Sequence, residues 1–562
     1  MIDFRLYRLA FIPAVIAVIV LMFSLEGAPD AIEPTTPPAT FEGERASAAA
    51  RQIAELAPER PPGSHGDAAV ADLVAERFGE IPAGAVTEQE FEATLDGDEV
   101  TLRNVILTLP GDADSTIVVL AARDSARGEG AASSAAATGL LIELASALGV
   151  AGHEKTFLLA STSGSAIGFA GMRELVDGLP GGDAVEAVIV ISQPGAGETA
   201  APYVVSSSTD PSSGPVQLER TAELAVDKQA QLSSAEDGWF TQLARLAIPT
   251  GLGGQAPLIA AGVDAIAISS AGERPLNEGE PLSGETLDAF GRSVQSTIVA
   301  VDVAANPLVH GPEAHLELGR NLVGGWTLSL LALALVLPAV AAAIDGCARA
   351  ARQGEELGSA LAWAAVRSLP FLGALGALYG LAIVGAVPRP PFPFDPGLYA
   401  IGPRATVALI FMALVAALTA FGLRRARLTL VRGPVCTPPA IGAVTSLAAF
   451  AIWLANPYLA LLVVPAAHVW LLAAGERRPA RTVAIGIAAI AACLPAALAV
   501  IAVARALDLS GDAPWTLTLM VADGQIGLAV TVSMCFVAGA LVGTCVHALR
   551  GPQVPSGTPG PD

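Results

Sequence analysis

The chain has 562 residues, 53% hydrophobic and only 15% charged, with a formal net charge of −22. That length allows several domains, and so apolar a composition implies a membrane part. Residues 25–320 hold 43 acidic and 15 basic side chains while the remainder is net positive, which excludes nucleic acid as a partner because phosphate contact needs Lys and Arg.

Arg5 and Arg8 precede an apolar run over residues 9–23 with no small-x-small cleavage site after it. Residues 1–24 are therefore expected to be a retained transmembrane anchor. Residues 25–43 have the composition of a Pro-rich linker. Helices are expected at 44–56 and 67–78, joined by R-P-P-G-S-H-G, and alternating segments at 85–91 and 99–109 predict strands. Over residues 117–171 an apolar run, an amphipathic helix, a second apolar run and a Gly-punctuated turn predict a βαβ unit with buried parallel strands. Further strands are expected at 185–191, 202–207 and 263–269, and helices at 217–230, 239–246 and 285–304. Residues 44–318 thus form one α/β domain, a mixed, mainly parallel sheet sandwiched by helices.

From residue 322 the composition changes. Apolar segments at 322–344, 361–386, 401–422, 438–455, 457–474, 482–504 and 525–547 each approach the length a bilayer needs. Arg349 and Arg352, then Arg424, Arg425, Arg427 and Arg432, then Arg477, Arg478 and Arg481, and finally Arg550 mark alternate connections. By the positive-inside rule this predicts eight spans with both termini cytoplasmic and residues 25–320 extracytoplasmic. The second region, 322–548, is then an all-α polytopic membrane domain followed by a disordered tail at 549–562. Arg367, Arg404 and His468 are the polar residues inside predicted spans; the arginines lie near span ends and are expected to snorkel. All five cysteines (Cys347, Cys436, Cys493, Cys535 and Cys545) lie in this half, and none has zinc-ligand spacing with a histidine.

Sites in open α/β sheets form outside the carboxyl ends of the strands. Those ends read L-A-A-R-D-S and S-T-S-G-S-A-I-G, and between them runs G-A-A-S-S-A-A-A-T-G-L-L-I-E-L-A. With R-P-P-G-S-H-G, N-V-I-L-T-L-P-G from Asn104, and A-I-P-T-G-L-G-G-Q-A-P-L-I-A-A-G-V-D-A-I, this framework resembles the di-zinc aminopeptidase family (peptidase clan MH, family 28) over residues 44–305. The architecture is similar to the multi-spanning endoplasmic-reticulum metallopeptidases and to the glycosylphosphatidylinositol transamidase attachment subunit. That family holds two metal ions with His and carboxylates and uses a Glu as base. By this resemblance the ligand positions carry Ala122, Ser133, Ala166, Ser192 and Gln255, and the base position carries Ser165. Asp124 alone persists, at a position that orients a ligand His in the family. Ala cannot ligate, and Ser and Gln are weak neutral donors.

The expectation is therefore a catalytically inactive, peptidase-like membrane protein without a cofactor. Arg123, Asp124, Ser133, Ser165, Ser192 and Gln255 would line its cleft, and the partners would be the lipid bilayer and a membrane or extracytoplasmic protein, peptide or lipid-linked molecule. Two alternatives stand beside it. One is a zinc aminopeptidase with relocated ligands, for which His65 and Asp67 would have to enter the cleft. The other is a transporter or complex subunit.

Overall fold

The computed structural model describes residues 4–34, 41–82, 84–95, 97–125, 130–150, 152–179, 185–195, 202–230, 238–273, 282–426, 437–475 and 482–550. Arg127, Cys436, Arg427, Arg432, Arg477, Arg478, Arg481 and most of the expected tail lie outside them.

The strands are β1 (Glu26–Gly27), β2 (Ala85–Leu95), β3 (Asp98–Leu109), β4 (Thr116–Ala122), β5 (Thr156–Thr162), β6 (Val185–Ser192), β7 (Tyr203–Val205), β8 (Ala265–Ser269), β9 (His315–Leu318) and β10 (Asn321–Gly324). Seven of them form one sheet in the order β2-β3-β5-β4-β6-β8-β7. Its centre, β5-β4-β6-β8, is parallel, and β2, β3 and β7 are antiparallel additions at the two edges. The run Ile117-Val118-Val119-Leu120-Ala121 is wholly buried. Its side chains alternate between two cores, as a strand's period of two requires. Ile117, Val119 and Ala121 join a core with Phe78, Leu140 and Phe290 beneath helices Gly43–Leu56, His65–Gly79, Ala136–Leu148 and Gly284–Asp302. Val118 and Leu120 face the other core, with Met172 of helix Ala170–Asp177 and Leu258 of helix Gln255–Ala260. A strand covered on both faces tolerates no polar side chain, which is why these positions read as unbroken apolar runs.

The segment expected to be a linker is docked instead. β1 pairs with β10, which pairs with β9, in a three-stranded sheet. The Ile32 amide donates to Thr221 Oγ1 at 3.0 Å, and Gln217 Nε2 donates to the Asp30 carbonyl at 3.1 Å. Backbone pairing overrides the Pro-rich composition here, because Glu26 and Gly27 meet a strand edge as the chain leaves its first helix.

Among the described residues six helices are long and apolar enough to cross a membrane: Arg5–Phe23, Gly325–Arg352, Pro403–Arg425, Thr437–Ala455, Gly486–Ala506 and Leu528–His547. A seventh span arises if Leu357–Val366 and Leu369–Ile383, bent by 43°, are taken together. The expected count of eight is thus not supported: among the described residues six helices, or seven with the bent pair, meet that length, while helix Pro457–Gly475 forms over the segment expected at 457–474. Val407, Ile410, Leu414 and Phe421 of Pro403–Arg425 are all more than 50% exposed, an apolar stripe with no protein partner. A further helix, Ala513–Asp523, stands between the expected apolar segments 482–504 and 525–547.

The polar residues His468 and Arg367 in the apolar helices are satisfied internally. His468 Nδ1 meets Tyr7 Oη at 2.8 Å, and its Nε2 meets the Leu335 carbonyl at 2.8 Å, so it pins the N-terminal helix to Gly325–Arg352. Arg367 does not snorkel. It is 6% exposed, donates to the Trp363 carbonyl at 2.6 Å and stacks over the Trp363 ring at 3.4 Å. Arg404 is exposed at its helix end, as expected.

Candidate functional site

At the tip of β4 the chain turns with Arg123, Asp124 and Ser125. The Arg123 guanidinium is fully buried. Its Nε lies 2.7 Å from Asp67 Oδ1, and its other nitrogens donate to the Ser161 carbonyl at 3.0 Å and the Arg103 carbonyl at 2.5 Å. Asp67 Oδ2 in turn accepts from Ser163 Oγ at 2.6 Å and the Gly63 amide at 3.1 Å. Arg60, also fully buried, donates to the carbonyls of Ala57 and Arg123 and to Ser134 Oγ at 3.0 Å. A Cβ at Gly130, where φ is +50°, would stand 3.0 Å from that guanidinium. Two buried cations therefore brace the strand tips, each tied to backbone carbonyls.

The resemblance-derived positions gather loosely around this brace. Asp124 accepts the Ser165 amide with both oxygens, at 3.1 and 3.0 Å, and Ser165 Oγ at 2.6 Å. Burial, reinforced by the charge of Asp67, pushes its carboxyl up to about 6, against the opposing bonds from Ser165 and the charge of Arg123. Ser165 and Ala166 lie in a tight turn held by Gly164 (φ +92°) and Gly168 (φ +60°). Ser133 Oγ donates to the Gly130 carbonyl at 3.3 Å. Ala122 and Ser192 end β4 and β6. Gln255 is fully buried, and its Nε2 donates to Glu273 Oε1 at 3.1 Å and the Ser207 carbonyl at 3.2 Å. Arg123, Asp124 and Gln255 thus do not line an opening; they are packed within the wall. The relocated ligands fail as well. His65 is exposed at its helix start, and Asp67 is consumed by Arg123. With two carboxylates, Asp124 held by Ser165 and Asp67 paired with Arg123, and two fixed guanidinium charges, these strand tips do not fit a pair of zinc ions.

Open space lies elsewhere. A cavity of about 730 Å³ opens beside β7 and β9. Its wall includes Ser206, Glu219, Trp239, Arg245, Glu273 and His315, and Arg505 from helix Leu494–Ala506 lines it on the side of the apolar helices. Arg245 Nη1 pairs with Glu273 Oε2 at 2.9 Å, and Glu273 also accepts from Ser207 Oγ. The network runs unbroken from Gln255 through Glu273 to Arg245, so the position of the family's last ligand backs onto this cavity. Its floor, helix Trp239–Ala247, packs Leu243 and Leu246 against Tyr458, Leu462 and Val503 of the apolar helices. Asn456 Nδ2 donates to the carbonyls of Leu246 and Ala247 at 3.0 and 3.2 Å. Sequence reasoning missed Glu273, Arg245 and His315. Nothing in their spacing marks them, since they come from three distant segments.

No known family and no curated protein matches this chain in sequence. Solved structures do match in fold over about half of it. A glutaminyl cyclase from an Acidobacteriales bacterium is 18% identical with a TM-score of 0.38, covering 49% of this chain and 99% of its own. BSAP, a zinc aminopeptidase from Bacillus subtilis, is 13% identical at 0.40, covering 48% and 98%. A Zn-dependent exopeptidase from Parabacteroides distasonis is 15% identical at 0.33, covering 47% and 99%. The expectation that the chain takes no cofactor is corrected here, since two of these matched structures are named as zinc enzymes.

Proposed function

We propose that the chain is a membrane-embedded protein whose peptidase-like domain, residues 44–318, recognises a ligand carrying charges of both signs, of peptide or lipid-linked type, and does not cleave it at the strand tips. The observation that carries this is the contrast between braced tips and an open cavity. A nucleophilic water needs a base or a Lewis acid beside the scissile bond, and at the tips the Asp124 carboxylate is held by Ser165 on both oxygens while Asp67 is paired with Arg123. In the cavity, by contrast, Arg245 and Arg505 stand with Glu219, Glu273 and the ring of Trp239, which is 55% exposed. Such a wall pairs with the amino and carboxyl groups of a zwitterion while an aromatic face covers its apolar part.

The arginine-marked connections support an orientation with both termini cytoplasmic and the domain outside. Residues 322–548 then serve as a scaffold in the bilayer. The internal pairing of Arg367 and His468 gives no support to an ion path. The cavity opens where the domain meets these helices, which suits a ligand delivered along or from the membrane surface. The test is Trp239 fluorescence in the full-length protein in nanodiscs, titrated with short peptides. A saturable change that disappears in Trp239→Phe and weakens in Arg245→Gln is expected. Aminopeptidase turnover that Ser165→Ala abolishes would overturn the reading.

A further inference from the structure

We infer that Glu219, His315 and Glu317 form a binding site for one divalent first-row transition ion, with zinc as the best fit, in the wall of this cavity. It rests on the reading of the cavity as the working site but concerns different chemistry. A carboxylate oxygen of Glu219, a ring nitrogen of His315 and a carboxylate oxygen of Glu317 lie within 4.8 Å of one another. A tetrahedron of ~2.0 Å zinc bonds has edges of roughly 3.3 Å, so small rotamer changes bring the three donors onto one ion.

Each ligand is held for the task by its element. His315 and Glu317 are two apart on β9 and share a face, while Leu316 between them turns into the apolar core. His315 is only 5% exposed. Its Nδ1 lies 2.9 Å from the Pro312 carbonyl. A carbonyl only accepts, so Nδ1 carries the proton and Nε2 keeps its lone pair. That tautomer, fixed by a backbone oxygen, is the one metal-bound imidazoles use. Glu317 Oε1 is buried without a hydrogen-bond partner, while its Oε2 meets Arg220 at 3.4 Å. An orphaned buried carboxylate oxygen beside a lone-pair nitrogen is what an ion would satisfy. Glu219 Oε1 accepts from Ser206 Oγ at 2.9 Å, which orients the third donor. Two carboxylates against one guanidinium leave a net negative charge. Two carboxylates with one imidazole suit zinc, with manganese next; magnesium prefers oxygen alone. Three protein donors leave a fourth position on the cavity side. The ion would also clamp helix Val216–Ala230, part of the α/β domain, to the small sheet that leads into Gly325–Arg352.

The experiment uses the full-length protein in nanodiscs, stripped with chelator and dialysed against zinc, manganese or magnesium. Bound metal is counted by plasma mass spectrometry, and cobalt(II) substitution is read as d–d absorption. One zinc per chain is expected, with affinity at least about tenfold lower in His315→Gln and Glu219→Gln and unchanged in Ser165→Ala. Glu219→Gln keeps volume and helix, so it decides even if His315→Gln does not fold. Zinc below half an equivalent in the wild type, or equal affinity in Glu219→Gln, would overturn the site. The Trp239 titration, repeated with chelator present, separates the two readings. Stoichiometric zinc without a peptide response overturns only the proposed ligand recognition. A peptide response in a chain that takes up no zinc overturns only the metal site.

Discussion

The strand tips and the edge cavity are built from the same residue types and behave in opposite ways. At the tips, Arg60, Arg123, Asp67 and Asp124 close on themselves and on backbone carbonyls. At the cavity, Glu317 keeps an unsatisfied oxygen, and His315 has one ring nitrogen engaged by a carbonyl. The difference teaches that buried charge by itself marks no site. The tips are not fully satisfied either, since Asp67 Oδ1 accepts no hydrogen bond among the described residues, but there the Arg123 guanidinium stands 2.7 Å from that oxygen, whereas at Glu317 the cation, Arg220, meets the other oxygen at 3.4 Å.

Substitutions sharpen or break this comparison. The largest effect is expected from Arg123→Gln, which leaves Asp67 buried without its cation and frees two buried carbonyls. A loss of about 3–5 kcal/mol is expected in chemical denaturation of the full-length protein; a loss under 1 kcal/mol would mean the brace is dispensable. Next comes Asn456→Ala. Asn456 Oδ1 accepts the amides of Tyr458 and Leu459, and its Nδ2 holds the cavity floor at Leu246 and Ala247. Its removal should cost about 2 kcal/mol and weaken the Trp239 response, whereas Arg123→Gln should leave that response intact in whatever fraction stays folded.

Asp124 gives a pH test. Its folded value, near 6, lies above the unfolded value of 3.8, so the folded chain holds this proton more tightly. Its contribution to stability is present below about pH 4 and is lost as pH rises through about 6, by roughly 1.4 kcal/mol per unit of displacement. Asp124→Asn cannot ionise, so its stability relative to wild type should improve between those pH values; a constant difference would place the carboxyl in water. The smallest change is expected from Ser165→Ala, which removes one hydroxyl donor to Asp124 while keeping the amide donor. About 1 kcal/mol of stability is expected to go, with metal content and peptide response unchanged.

Much of the α/β domain was legible in the chain. The buried strands announce themselves as β-branched runs, and helices such as His65–Gly79, capped by Ser64, carry local stop and start signals. The docking of Glu26–Gly27 and the extra helix Ala513–Asp523 were not legible, since each depends on what lies across from it rather than on its own residues.

The sequence by itself determined the order of strands and helices and the long apolar helices, because these follow from periodicity and side-chain chemistry along the chain. Only the tertiary structure decided that Arg123 is a brace rather than a ligand-binding group, and that Glu219, His315 and Glu317 meet at one cavity. Residues some hundred positions apart converge through packing of layers, and no local pattern records which of them will face one another.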